Sequence, residues 1–335
     1  MNKKRGLILA KFAPFHVCHH YIIETALQKV DELYIIMYDC PNLINIPLNT
    51  RADWVRDFYP QVNVIEGWDA PNRHEDTMEV KKLQEDYVKS ALNGKKITHF
   101  FSSDYYGEHM SKALGAINWR VDLRDKDYKK QNLIRATMIR KDKYLYRKCM
   151  APLVYKDILL NIAFVGMPSR EQSRLVKTLS QKLKTAYTED NLLKFIETRK
   201  PSKKDKAHLD FYKFAKEKYN RANAPEKIYS GKEYLLYDST GFIDHLLSIA
   251  THNFFNKTSY DFFSTDMRKY DFVFINDPNN SSISKYFDLD MSIFMNQIIN
   301  NLDSLGINYQ RIEGPFEKKL KTIENIIKSL KKKIN

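Results

Sequence analysis

Gly6-Leu7-Ile8-Leu9-Ala10-Lys11-Phe12-Ala13-Pro14-Phe15-His16-Val17-Cys18-His19-His20 begins as an apolar run of strand length and breaks at a lysine and a proline-containing loop. Histidines then stand at the mouth of a helical pattern. A strand that enters a loop and then a helix is the first βα turn of an open α/β sheet. Free backbone N–H groups and the helix dipole favour an anion there. Imidazoles at the same mouth add donors that can meet charge developing on a phosphoryl group.

The pattern repeats outward from this stretch. Strand-like runs at Gly6–Ala10, Glu32–Met37, Val62–Ile65 and Ile97–Ser102 alternate with helical patterns at His19–Lys29, Thr50–Tyr59 and Asp76–Leu92. After Pro152 a fresh strand, Ile158–Val165, opens a second series. Helices are expected there at Glu171–Leu183, Asn191–Thr198, Ala207–Asn220, Met291–Leu305 and Glu317–Lys332, with strands at Glu233–Tyr237, Asp271–Ile275 and Ile307–Ile312. This alternation predicts an α/β protein of two domains, residues 1–154 and 155–335.

Composition narrows the class. The chain has 335 residues, 43% hydrophobic and 13% aromatic, which suits folded domains, and no apolar run is long enough to span a bilayer. Three scattered cysteines, Cys18, Cys40 and Cys149, give no disulfide framework and fit a reducing cytoplasm. The net charge of +14 suits a polyanionic ligand. Its lysines are interleaved with acids along the chain, which favours anionic small molecules over a nucleic-acid partner. His16, Cys18, His19 and His20 lack the second, separated ligand pair that a structural zinc site requires, so no metal centre is expected.

A second segment completes the first domain. Arg135-Ala136-Thr137-Met138-Ile139-Arg140 reads as a loop ahead of a basic helical stretch. The hydroxyl of Thr137 and the forked donors of Arg140, three residues apart, can face one anion. Arg51-Ala52-Asp53-Trp54 adds a cation and an aromatic; the indole is open to two readings, core packing or stacking on a ring.

The first stretch resembles the G-x-F-x-P-x-H-x-G-H signature of nucleotidyltransferases, and residues 135–140 resemble the accompanying I-S-x-T-x-x-R signature. Arg51-Ala52-Asp53-Trp54 is similar to an R-x-x-W element. In this order, roughly 120 residues apart, the two signatures resemble NadR-type proteins, which join a nicotinamide mononucleotide adenylyltransferase domain to a ribosylnicotinamide kinase domain. The resemblance implies a Rossmann-like nucleotidyltransferase domain followed by a P-loop-kinase-like domain. It implies adenylyl transfer from ATP, carried with Mg²⁺, to nicotinamide mononucleotide, giving NAD and pyrophosphate. His16 and His19 would act on the phosphates. Ala10, Lys11, Phe12, Cys18, Arg135, Thr137 and Arg140 would bind ATP, and Arg51 and Trp54 the mononucleotide. Three positions depart from the signatures: Ala10 and Cys18 stand where glycines are expected, and Arg135 where a serine is.

The second loop departs further. Gly166-Met167-Pro168-Ser169-Arg170-Glu171-Gln172-Ser173 sits where a kinase carries G-x-x-x-x-G-K-[ST]; Gly166 and Ser173 match, whereas Glu171 replaces glycine and Gln172 the lysine. A carboxylate ~4 Å from a phosphate charge costs about 4 kcal/mol at an effective dielectric near 20. Asp238 in Tyr237-Asp238-Ser239-Thr240 reads as a remnant metal-side acid, and Ser284–Asp290 has no lid arginine. The second domain is therefore expected to have lost phosphoryl transfer, serving instead as scaffold, homo-oligomer contact or ligand sensor. Two alternatives to the adenylyltransferase stay open: a sensor of NAD or mononucleotide without turnover, and a nucleotidyltransferase with a different acceptor.

Overall fold

The computed structural model describes residues 3–71, 76–103, 107–121, 134–199, 211–252, 255–276 and 289–334. The chain divides into two compact units, residues 1–158 and 159–335.

In the first unit, strands β1 (Arg5–Ala10), β2 (Glu32–Tyr38), β3 (Asn63–Gly67), β4 (His99–Ser102) and β5 (Ile117–Arg120) form one parallel sheet in the order β3-β2-β1-β4-β5. Helices α1 (Val17–Leu27), α2 (Leu48–Phe58), α3 (Met78–Ala91), α4 (Gly107–Leu114), α5 (Ala136–Lys141) and α6 (Pro152–Ile158) connect or follow them. β1 and β2 read as continuous apolar runs because a parallel sheet is covered on both faces. Leu7, Ile36 and Phe100 pack with Val88 of α3 and Met110 of α4 on one of those faces. Gly6 permits close packing here: a Cβ on it would stand 2.9 Å from the Phe101 ring. The order of connection reverses on either side of β1, so a crevice opens beyond its C-terminal end, where ligands of open α/β sheets bind.

The second unit repeats the plan. β6 (Leu160–Gly166), β7 (Ala186–Thr188), β8 (Tyr234–Tyr237), β9 (Phe272–Asn276) and β10 (Tyr309–Ile312) form a parallel sheet in the order β10-β9-β6-β8-β7. The helices are α7 (Arg170–Leu183), α8 (Leu192–Arg199), α9 (Phe211–Ala222), α10 (Pro225–Ser230), α11 (Gly241–His252), α12 (Lys257–Met267), α13 (Met291–Ser304) and α14 (Phe316–Ile334). α7 and α14 pack their apolar stripes on one face through Leu175, Leu179, Leu320, Ile323 and Ile327.

Both units are thus parallel α/β sheets, as expected, but each has five strands where the sequence indicated four. Among the elements without a strong sequence signal are β5, a largely exposed edge strand, and β7, of three residues. Residues 136–141 form a helix where a loop is expected, because Ile139 is buried and anchors the turn. Residues 207–210 and 284–288, parts of an expected helix and of the expected lid segment, lie outside the described residues.

Candidate functional site

The loop after β1 is shaped from beneath. Phe12 adopts φ +46°, the left-handed region that a bulky residue seldom occupies, and its ring lies 4.7 Å from that of His19 and 4.9 Å from that of Phe15. Arg51 on α2 is fully buried under this loop. Its guanidinium donates to the Lys11 carbonyl, to the carbonyls of Tyr38 (3.2 Å) and Ile46 (3.1 Å), and to Asp39 Oδ1 (3.0 Å). A planar fork that meets several acceptors at once ties the β1 loop to the end of β2.

His16 caps α1. The Cys18 N–H donates to His16 Nδ1 at 3.3 Å, and the His16 N–H donates to His19 Nδ1 at 3.2 Å. Both Nδ1 lone pairs are therefore occupied as acceptors, and each neutral ring carries its proton on Nε2. Burial pushes His16 down to about 4 and His19 well below the ordinary histidine value, each lowered further by a neighbouring imidazole. At neutral pH the pair supplies uncharged N–H donors.

Residues of the second segment approach the same loop. The Arg140 guanidinium donates to the Ala13 carbonyl at 2.5 Å, and the Cys18 thiol to the Ile134 carbonyl at 3.4 Å. Arg135 is the extended N-cap residue of α5 and makes no side-chain capping bond. A cavity of about 950 Å³ opens above, lined by Ala10, Lys11, Phe12, His19, Arg135, Thr137 and Arg140 together with residues of β1, β4, α3 and α4. That volume is at the upper end of small-molecule sites. Burial lowers the Lys11 ammonium below the usual lysine value, and the nearby Arg140 and Arg51 charges act in the same direction. Three cations, a hydroxyl and an imidazole N–H donor among the lining residues are the donor types that bind anions.

Four of the expected residues stand elsewhere. His16 is buried beside His19, ring centroids 3.9 Å apart, and touches the cavity only through its neighbour. Cys18 directs its thiol to Ile134, away from the cavity wall. Arg51 is consumed by the loop carbonyls. Trp54 is buried on α2 with its indole N–H on Asp157 at 2.8 Å, so in this structure it packs and offers no face to a ring. The cavity adds residues that no motif indicated. Asp76, Lys81, Gln84, Ser102, Glu108, His109 and Lys112 also line the cavity, with Lys81 paired to Asp76 at 2.5 Å. They come from separate elements that only the sheet order brings together.

In the second unit, Gly166 holds φ +145° where a Cβ would fall 2.2 Å from the Asn276 carbonyl oxygen, so only glycine fits. Ser169 caps α7 by accepting from the Gln172 N–H. Gln172 is buried, its side-chain amide donating to the Phe164 carbonyl and to Asp238 Oδ1, both at 3.4 Å. Ser173 also bonds Asp238, whose carboxyl is pushed up to about 7 by burial and by the nearby Asp190. The expected unopposed charge at Glu171 is corrected here: Lys319 of α14 lies 2.7 Å from its Oε1. That partner is 148 residues away, and nothing in the loop's own sequence signals it. Among the described residues no cluster of three or more His, Cys, Asp or Glu could hold a metal ion, and no helix is long and apolar enough to cross a membrane.

No protein-family model and no curated protein sequence matches the chain. Among solved structures, a NadR protein in complex with NAD and AMP-PNP is similar at 14% identity and a TM-score of 0.51, over 97% of this chain and 95% of that one. A NadR protein in complex with NR is similar at 14% identity and a TM-score of 0.49, over 93% of this chain and 89% of the other. At that identity the likeness is one of fold, and it runs over nearly the whole chain.

Proposed function

We propose that the first unit transfers the adenylyl group of ATP to nicotinamide mononucleotide, giving NAD and pyrophosphate. The observation that carries this reading is the one cavity lined both by Lys11 and His19 and by Arg135, Thr137 and Arg140, from two sequence segments roughly 120 residues apart. In the reaction a mononucleotide phosphate oxygen bonds to the α-phosphorus of ATP as the bond to the β-phosphate oxygen breaks. The attacking phosphate is anionic at neutral pH and pyrophosphate leaves without needing a proton. The protein therefore has to position the groups and meet charge, and a general base is not required. His19, held neutral with its proton on Nε2, donates to the reacting phosphate; Lys11, Thr137, Arg135 and Arg140 hold the leaving β- and γ-phosphates. His16 acts by fixing the His19 ring. Mg²⁺ arrives as part of the ATP substrate.

The second unit, in this reading, does not transfer phosphoryl groups, because Gln172 stands where the phosphate-neutralising lysine is expected and its amide is spent on Phe164 and Asp238. The test is NAD formation from ATP, Mg²⁺ and the mononucleotide. No NAD above a His19→Ala control would overturn the proposal. Binding without turnover is the second reading, favoured by the Arg140 guanidinium being already engaged by Ala13. Calorimetry that finds tight NAD or mononucleotide binding in a protein that makes no NAD would select it.

A further inference from the structure

His20 follows His19 on α1 and belongs to neither phosphate-facing segment of the first unit. Its half-buried ring lies 4.5 Å from the Phe15 ring and 5.0 Å from that of Phe58, centroid to centroid. Its Nδ1 is 2.8 Å from the hydroxyl of Tyr59, the residue that ends α2, and that hydroxyl donates to Glu24 Oε1 at 3.1 Å. Glu24 stands one helical turn on from His20, so the two share a face of α1 and Tyr59 bridges them. An ionised carboxylate only accepts, so the phenol proton is spent on Glu24 and the phenol oxygen accepts from His20 Nδ1–H. Burial holds His20 below the ordinary histidine value, with Glu24 acting the other way, and at neutral pH the ring carries that one proton. His20 therefore takes the opposite tautomer to His16 and His19, whose Nδ1 atoms both accept.

The relay Glu24–Tyr59–His20 reaches His19 through Phe15. The fully buried Phe15 ring meets His20 edge-on and stacks on His19, with centroids 5.6 Å apart and 28° between the planes. It also stacks on Phe58 at 6.0 Å and 14°. Phe15 is thus a wedge between His19 and the end of α2, and His20 closes its edge. We propose that His20, tied through Tyr59 to Glu24, is a positioning residue: the relay fixes the Phe15 wedge and with it the direction in which His19 Nε2–H points at the reacting phosphate. The inference rests on the reading of this site as one of adenylyl transfer. A donor aimed in advance at developing charge acts on the chemical step more than on substrate binding.

The test pairs NMR of the imidazole nitrogens with steady-state kinetics on the full chain, for wild type and for Tyr59→Phe, which keeps the ring and deletes the hydroxyl. His20 Nδ1 is expected to be protonated in wild type and to lose that preference in Tyr59→Phe. An unprotonated Nδ1 in wild type overturns the inference whether or not the protein makes NAD. In the kinetics, kcat for NAD formation should fall about tenfold, the worth of one well-placed hydrogen bond. The KM values for ATP and the mononucleotide should stay within about twofold, read at a temperature where circular dichroism shows both proteins folded. An unchanged kcat in Tyr59→Phe, or a rise in both KM values as large as the loss in kcat, overturns the inference. If Tyr59→Phe fails to fold, Glu24→Gln, which leaves the phenol and removes the charge it donates to, is read by the same criteria. No NAD from wild type overturns the adenylyl-transfer reading and the positioning role with it, whereas failure of the positioning role alone leaves a wild type that makes NAD.

Discussion

The Cys18 thiol and the Ile134 carbonyl, 116 residues apart in the chain, meet at 3.4 Å and join the start of α1 to the residue before Arg135. The cysteine, which departs from the small residue expected at this position, therefore ties together the two segments that line the cavity. Cys18→Ala removes the donor; the KM for ATP is expected to rise several-fold with kcat less affected. Cys18→Ser, which keeps a hydroxyl donor, should stay near wild type. Steady-state kinetics of NAD formation checks both.

Arg51 is expected to govern stability. Its removal leaves the Lys11, Tyr38 and Ile46 carbonyls and the Asp39 carboxylate without their shared donor. Breaking a buried, hydrogen-bonded charge typically costs about 3–5 kcal/mol. Arg51→Met should lower the denaturation midpoint accordingly. Arg51→Lys should recover only part, because an ammonium does not reproduce the planar fork. Chemical denaturation followed by circular dichroism measures the difference.

For Trp54 the structure favours packing. Trp54→Phe loses the bond to Asp157, and a neutral-to-charged hydrogen bond contributes about 1.5–3 kcal/mol. Stability should fall by that order while the KM for the mononucleotide stays within about twofold. A large KM increase with unchanged stability would restore the ring-stacking role.

The histidine pair makes the first unit acid-sensitive. An unfolded imidazole takes a proton near pH 6.5, whereas folded His16 resists until about 4. Through that window the unfolded state binds more protons, so stability is lost as pH falls from 6.5 toward 4, on the order of 3 kcal/mol across the whole interval. His16→Asn keeps a capping side chain and removes the titration. Its melting temperature should drop less than that of wild type between pH 6.5 and 4.5.

The alternation of strands and helices was legible because a strand buried on both faces must be apolar throughout; β1, β2 and β6 could be read with little error. Element ends moved by a few residues where caps such as His16 and Ser169 set them. The short edge strands β5 and β7 were hidden, since so few residues carry little periodicity.

At the site, the sequence by itself determined that a strand would run into a proline-containing loop and then a helix opened by paired histidines. Local chain chemistry suffices for that, because the loop and its cap are built from neighbouring residues. Only the tertiary structure decided that Arg51 and Trp54 face the protein and not the cavity, and that Lys81, His109 and Lys112 line it. It also decided that Glu171 has a partner in Lys319. The physical reason is common to all of these: what a charged or aromatic side chain faces depends on which distant element the sheet order sets beside it.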